Sequence, residues 1–537
     1  MPRIIGVLLL AVLMAGCCSD VCSGNPGAQK YFDSARQNPA ALLSFLQKMP
    51  KGGDLHNHLG GAVYAENLIG FAAQDNLCFD RASEKLKPMK ECGKGNSPNP
   101  RDCFGAPSAQ KWVPACDSLF HDMLDAFSMR DFKPHCDPTN NAATGTLCES
   151  GHDHFFATFD KFGLATQGHT PEMIAEVANR AAAQNESYLE LMFGLDDGAA
   201  GGLSQLIHWD GVDADAVSAI AQQVHGNPMF AKGVDNLHKT DAEWHSRLHC
   251  SDPQRKEPGC AVEVRYLYQA LRGLPPNAVL SRLITGFEMV QEDERRAKAG
   301  QGPQLIVGLN LVMPEDGYFS MHDFDLHMRI LQKLHAVYPE VKLSLHAGEL
   351  APGLVTPDGL RDHISKSVYL AGAERIGHGV DVGYEDNHEQ LLKDMAARHV
   401  LVEICLTSND GILGISGAGH PLKTYLDSKV PVALATDDEG VSRADMTQEY
   451  LRAAETYSFL EYDDLKRMAR MSLEHSFLPG ASLWKDAEQF HPTDACARQQ
   501  AGADTPSPGC KRFLDGSERA RVEWKLEGQF LRFEKNY

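Results

Sequence analysis

The chain has 537 residues, 43% of them hydrophobic and 23% charged. That composition is a folded globular protein's, with room for one large domain bearing insertions or for two or three ordinary domains. The formal net charge of −21 argues against a nucleic-acid partner, because a phosphate backbone would be repelled.

The chain begins with Arg3 and an apolar run too short to span a bilayer, ending in small residues; residues 1–16 read as a signal peptide. Met14-Ala15-Gly16-Cys17 resembles a bacterial lipoprotein cleavage box, in which Cys17 becomes the lipidated first residue. A plain secretory signal is the alternative. Either way the chain is exported, and the expected location is a bacterial periplasm or cell surface, with a membrane reached only through the lipid anchor. No later stretch is long and apolar enough for a transmembrane helix. The cysteines suit an oxidising compartment. Cys78, Cys92, Cys103, Cys116, Cys136 and Cys148 cluster in a polar, Gly/Pro-rich region, and Cys250/Cys260 and Cys496/Cys510 form near pairs. These read as disulfides of open connectivity. Cys405, inside the apolar run VLVEICL, reads as a buried free thiol.

Next, QKYFDSARQNPAALLSFLQKMP reads as helical and leads into KGGDLHNHLGGA, residues 51–62. In an extended strand, His56 and His58 lie on one face, about 7 Å apart along the strand. They are either a half-site for a metal or two polar residues on a wet face. Residues 78–151 read as a disulfide-tied insertion after this first strand. His152 and His154, in GHDHFF, are a second H-x-H. They precede a helical run, where i and i+2 do not face each other, and so read as loop or cap residues. Beyond FFATFDKFG, helical patterns alternate with the short apolar runs YLELMFGL, QLIVGLNLVM, VKLSLHAGE, RIGHGVDVG, HVLVEICLTS and VPVALATDD. Strands alternating with helices indicate a parallel α/β architecture, and six or more such units predict a (β/α)8 TIM barrel. Residues 236–262 and 485–515 read as further loops or insertions. The expected organisation is one barrel domain over residues 23–537, with the Cys-rich insertion and additional C-terminal helices.

Barrel chemistry sits at the C-terminal ends of the strands. Here the runs end in DLHNH, SLHAGE, RIGHG, EICLTSN and LATDDEG, each with ligand or acid/base residues. His56, His58, His346 and Asp437 make a plausible set for one Zn2+, since zinc takes imidazole nitrogen and carboxylate oxygen and a catalytic site keeps one position open for water. Glu349, three residues after His346, suits a proton shuttle. His378 can orient water or stabilise developing charge. Asp438 points away from Asp437 on extended chain and is free to meet a substrate. Taken singly, each histidine can be a satisfied core residue and Asp437 a helix cap; their joint placement at strand ends favours the metal site. The glycine-rich GILGISGAGHP lacks the spacing of a phosphate loop.

In this order, MPKGGDLHNHL, SLHAGE, RIGHG, LTSN and ATDD resemble the adenosine deaminase family of zinc (β/α)8 enzymes, over most of residues 40–480. Export and the Cys-rich insertion are similar to the secreted adenosine deaminase-related growth factors. The resemblance implies one zinc per chain on His56, His58, His346 and Asp437, with Glu349 as proton donor to the ring nitrogen. It implies that His378 assists the hydroxide and that Asp438 hydrogen-bonds the purine. The implied reaction is attack of metal-bound hydroxide on C6 of adenosine or 2'-deoxyadenosine, giving inosine and ammonia, with a small-molecule purine nucleoside as partner. Departures fall on substrate contacts: Gly60 stands where adenosine-acting members often carry Asp, and Met313 where they carry a glycine near the purine. A related metal hydrolase of another aminated ring, amide or ester is the runner-up, and a non-catalytic growth-factor-like binding protein the third reading.

Overall fold

The computed structural model describes residues 25–92, 99–105, 114–136 and 148–537; the leader and Cys17 lie outside them. Eight parallel strands form one sheet in chain order: β1 (Gly52–His58), β2 (Glu186–Phe193), β3 (Glu263–Leu271), β4 (Ile306–Val312), β5 (Lys342–Ala347), β6 (Arg375–His378), β7 (Leu401–Ile404) and β8 (Val432–Leu434). The first and last strands meet just beyond β8. Asn57 lies opposite Asp437, the Asp437 N–H donates to the His56 carbonyl (2.8 Å), and the His58 N–H donates to the Asp437 carbonyl (3.1 Å). Helices surround the sheet, which is therefore a (β/α)8 barrel. Strands covered on both faces read as continuous apolar runs: all seven residues of β4, IVGLNLV, and all four of β7, LVEI, are buried.

Two stretches differ from the sequence expectation. The strand β3, EVRYLYQAL, is absent from the apolar runs because Arg265, Tyr266, Tyr268 and Gln269 interrupt it. The structure buries two of those groups with partners: Arg265 pairs with Glu263 and Glu518, and the Tyr266 hydroxyl donates to Asp241. The region 236–262 is not all loop, since the helix Pro228–Arg247 runs well into it. Phe230, Val234, Leu237 and Trp244 face inward at helical spacing, a sparse stripe outnumbered by polar residues. Only the segment after Arg247 is loop, and Cys250–Cys260 closes it. Residues 485–515 hold a two-stranded pair, Trp484–Asp486 with His491–Pro492, then the Cys496–Cys510 bridge and the helix Pro508–Asp515.

Between β1 and the helix Gly151–Thr166, the chain forms the hairpin Leu77–Asp80/Lys85–Pro88 and the helices Pro100–Phe104 and Pro114–Phe127. Cys78–Cys92 and Cys103–Cys116 tie this segment. Cys405 is a buried free thiol, its pKa pushed well up by burial. The lower rim of the barrel is fixed by the Lys51 ammonium, which donates to the carbonyls of Leu46, Met49 and Gln184. Among the described residues, no helix is long and apolar enough to cross a membrane.

Candidate metal centre and active site

The alternation of β1 puts His56 and His58 on one side of the strand, their rings 5.3 Å apart. His346 projects from β5 and Asp437 follows β8. The nitrogen His56 Nε2 lies 3.1 Å from His346 Nε2 and 3.6 Å from Asp437 Oδ1; His58 Nε2 lies 3.2 Å from His346 Nε2 and 3.3 Å from Asp437 Oδ1. Four donors on a tetrahedron with zinc bond lengths of 2.0–2.1 Å sit about 3.3–3.4 Å apart. The four separations, 3.1–3.6 Å, bracket that spacing, so these donors could hold a zinc ion.

The protonation pattern behind the donors supports the same assignment. His346 Nδ1–H donates to Asn310 Oδ1 (2.8 Å), an oxygen identified as such because the His346 backbone N–H also donates to it (3.0 Å). His56 Nδ1–H donates to Glu403 Oε2 (2.7 Å), and His58 Nδ1 lies 3.4 Å from Gln269 Oε1. Nε2 is thus the nitrogen of each ring that faces the common point, as in metal-bound histidines whose far nitrogen is held by the protein. Asp437 Oδ2 accepts from the Ser408 hydroxyl (2.7 Å), leaving Oδ1 for the cluster. His378 also lies close enough to His56, His346 and Asp437 to share a cation with them, but its polarity is reversed. Its Nδ1 accepts from the Asn409 amide (2.9 Å), so Nε2 carries the proton. That nitrogen is buried without a hydrogen-bond partner, 3.6 Å from Glu349 Oε1.

Charge is distributed accordingly. Burial lowers His58 to about 4 and His378 to about 3 and holds His346 well below its ordinary value; neutral imidazole is the form that ligates metals. Burial also acts on His56, but Asp437 and Glu403 outweigh it and raise that ring to about 10, so a bound cation would displace its proton. Glu403 is itself opposed by burial, yet Arg375 and His56 hold it below the usual carboxylate range. The Arg375 Nε donates to Glu403 Oε1 at 2.6 Å.

Glu349 reaches the site through the turn after β5. Gly348 has φ +78, and a Cβ there would come within 2.5 Å of the Asp381 carboxylate, so the glycine of HAGE is required. The Gly348 and Glu349 N–H groups donate to Glu315 (3.1 and 2.9 Å). Burial pushes the Glu349 carboxyl well above the ordinary range, and the charges of Asp437 and Glu315 push it further. Asp438 is raised by burial and by Asp437, and its Oδ1 is buried without a partner. A side chain at Gly61 would collide with the Asp438 carboxylate. Three of the non-glycine residues with left-handed backbone, Asp437 (φ +62), His378 (φ +68) and Met313 (φ +90), stand at or just beyond barrel strand ends. Each such conformation costs on the order of 1–3 kcal/mol.

A cavity of about 590 Å³ opens on the donors, and His58, His346, Glu349, Asp437 and Asp438 form its inner end. Gly60 and Met313 both line it. The outer wall is apolar: Phe155, Phe156 and Phe159 from the helix Gly151–Thr166, with Met173, Phe193 and Leu271. His152 and His154 are inside the first turn of that helix rather than before it. His152 faces Asp316 and His154 faces Glu149 and the Ser128 carbonyl, and neither is in the donor cluster. The sequence reading left out Glu403, Asn310, Gln269 and the partners within LTSN. Glu403 carried a usable signal, because a carboxylate inside a continuous buried run must have a partner.

The fold and the four converging donors define a (β/α)8 barrel with a candidate metal centre at the C-terminal ends of its strands. The adenosine deaminase domain family matches residues 260–485. The chain is 32% identical to the adenosine deaminase of Enterococcus faecalis over 245 residues, 42% of this chain and 69% of that protein. It is 30% identical over 173 residues to a probable adenosine deaminase of Dictyostelium discoideum, covering 32% of this chain and 20% of that one. With the adenosine deaminase of Clostridium kluyveri it shares 30% over 148 residues, 27% of this chain and 39% of that one. The chain thus spans less than half the length of the latter two relatives. Among solved structures, the apo N6-methyl-AMP deaminase of Arabidopsis thaliana superposes with a TM-score of 0.47 at 19% identity, over 81% of this chain and 94% of that one. This chain belongs to the adenosine deaminase family.

Proposed function

We propose that this protein is an exported, zinc-dependent aminohydrolase that converts adenosine or 2'-deoxyadenosine to the 6-oxo nucleoside and ammonia. The observation that carries this reading is the convergence of three imidazole nitrogens and one carboxylate oxygen, with a buried Glu349 whose carboxyl burial pushes toward the protonated form beside them. Three nitrogens and one oxygen favour zinc over harder cations, and a bound zinc supplies a water activated to a pKa near 7.

The chain's own residues do the rest. Burial pushes the Glu349 carboxyl toward its protonated form where it lines the cavity, so it can deliver a proton to a ring nitrogen. Asp438 presents its carboxyl at the same inner end and can pair with a second ring nitrogen. His378 Nε2–H offers a hydrogen bond where negative charge develops. Among the described residues lining the cavity there is no Lys or Arg, while Asp160, Glu349, Asp437 and Asp438 are acidic. A cavity lined by no cationic side chain gives a phosphate no partner, which favours a neutral nucleoside or free base over a nucleotide. Export rests on the leader pattern, with the four disulfides among the described residues in agreement.

The test is the ultraviolet change as amine becomes carbonyl, using protein lacking the leader, with adenosine, deoxyadenosine, adenine, methylthioadenosine and AMP in separate cuvettes. Conversion of a neutral purine, abolished by chelator and restored by zinc, is expected, with AMP the poorest substrate. Protein holding one zinc per chain but inert toward every purine would overturn the substrate and favour another aminated ring or an amide.

A further inference from the structure

The proton on His378 faces the site only because something fixes the amide of Asn409. An asparagine side chain can turn over and present oxygen instead of nitrogen, and His378 would then carry its proton on Nδ1. The structure fixes the orientation from a donor that cannot be reversed. The backbone N–H of Leu422 donates to His420 Nδ1 (3.2 Å). His420 is 3% exposed, and burial lowers it to about 4, so the ring is neutral and its one proton is on Nε2. That proton is donated to the Asn409 side chain (3.1 Å), which must offer its oxygen. The Asn409 NH2 is thereby turned to His378 Nδ1 (2.9 Å). Asn409 and His378 are fully buried.

We infer that His420, the histidine of the glycine-rich run GILGISGAGHP, is a positioning residue that locks His378 as an Nε2–H donor through Asn409. The lock keeps His378 from offering a lone pair as a further ligand to a cation in the His56–His346–Asp437 cluster, and keeps a hydrogen bond aimed into the site. Its catalytic consequence rests on the aminohydrolase reading; the tautomer itself does not.

The experiment compares the zinc-loaded wild type with His420→Leu, His420→Gln and Asn409→Asp. In long-range proton–nitrogen spectra of the imidazoles, the His378 signals are assigned by their loss in His378→Gln. Wild type is expected to show the Nε2–H form. Asn409→Asp, whose carboxylate can only accept, is expected to show the Nδ1–H form, and so, almost entirely, is His420→Leu, in which the freed Asn409 amide turns its oxygen to His378. His420→Leu should lower kcat about 100-fold, the lower end of what a positioned proton-bearing group contributes, with KM within about threefold and zinc still at one per chain. His420→Gln, which can both accept from Leu422 and donate to Asn409, should return kcat to within about threefold of wild type. The inference is overturned if His378 stays in the Nε2–H form in both His420→Leu and Asn409→Asp, or if zinc-loaded His420→Leu turns over like wild type. If wild type deaminates nothing, the proposed function fails, and the spectra alone decide this inference.

Discussion

The two ends of the cavity are built on different terms. At the inner end, each donor comes from or just after a barrel strand, and each has a further contact behind it: Glu403 on His56, Gln269 on His58, Asn310 on His346 and Ser408 on Asp437. At the outer end, Phe155, Phe156, Phe159 and Met173 come from helices outside the barrel and are placed by packing. Gly60 leaves open space, with no atom within 4 Å of where its Cβ would be. Directional hydrogen bonds specify a geometry to tenths of an ångström, whereas apolar contacts specify only a volume. The chemistry is therefore held fixed while the substrate's outer part is met by a surface that can change.

Substitutions at either end separate these two kinds of construction. The largest effect is expected for Asp437→Ala. Metal should fall from one per chain to near none by elemental analysis, and turnover should fall by more than about 10⁴, since both the metal and its activated water are lost. Glu349→Gln keeps every donor. It should retain one metal per chain and lose about 10²–10⁴ in kcat, the range for a general acid/base; full activity would remove Glu349 from the reaction. Glu403→Gln should weaken metal binding about 10–100-fold in competition with a chelator, as removal of a ligand's hydrogen-bond partner does. The smallest effect is expected for Gly60→Asp, whose new side chain enters open space. It should shift the preference among neutral nucleosides by up to about tenfold, or 1.4 kcal/mol, with metal content unchanged. Loss of metal there would show that the two ends are not independent.

The motifs DLHNH, HAGE, GHG and ATDD place His56, His58, His346, Glu349, His378, Asp437 and Asp438 at strand ends, because strand period and barrel polarity are local and general rules. The same rules missed β3, where the burial of Arg265 and Tyr266 depends on partners far along the chain, Glu518 and Asp241. They also missed the helical half of 236–262, whose inward stripe is visible only against the surface it covers.

What the sequence determined by itself was the parallel alternation of strands and helices outside β3 and the Pro228–Arg247 helix, the presence of disulfides and the residue types at the site, all of which follow from composition and near-neighbour spacing. Only the tertiary structure decided which imidazole offers a lone pair and which a proton. That choice is set by Glu403, Asn310 and Asn409, which are separated from their histidines by 347, 36 and 31 residues. A neutral imidazole has two nitrogens with one proton between them, and the hydrogen bond on the far side determines which nitrogen faces the site.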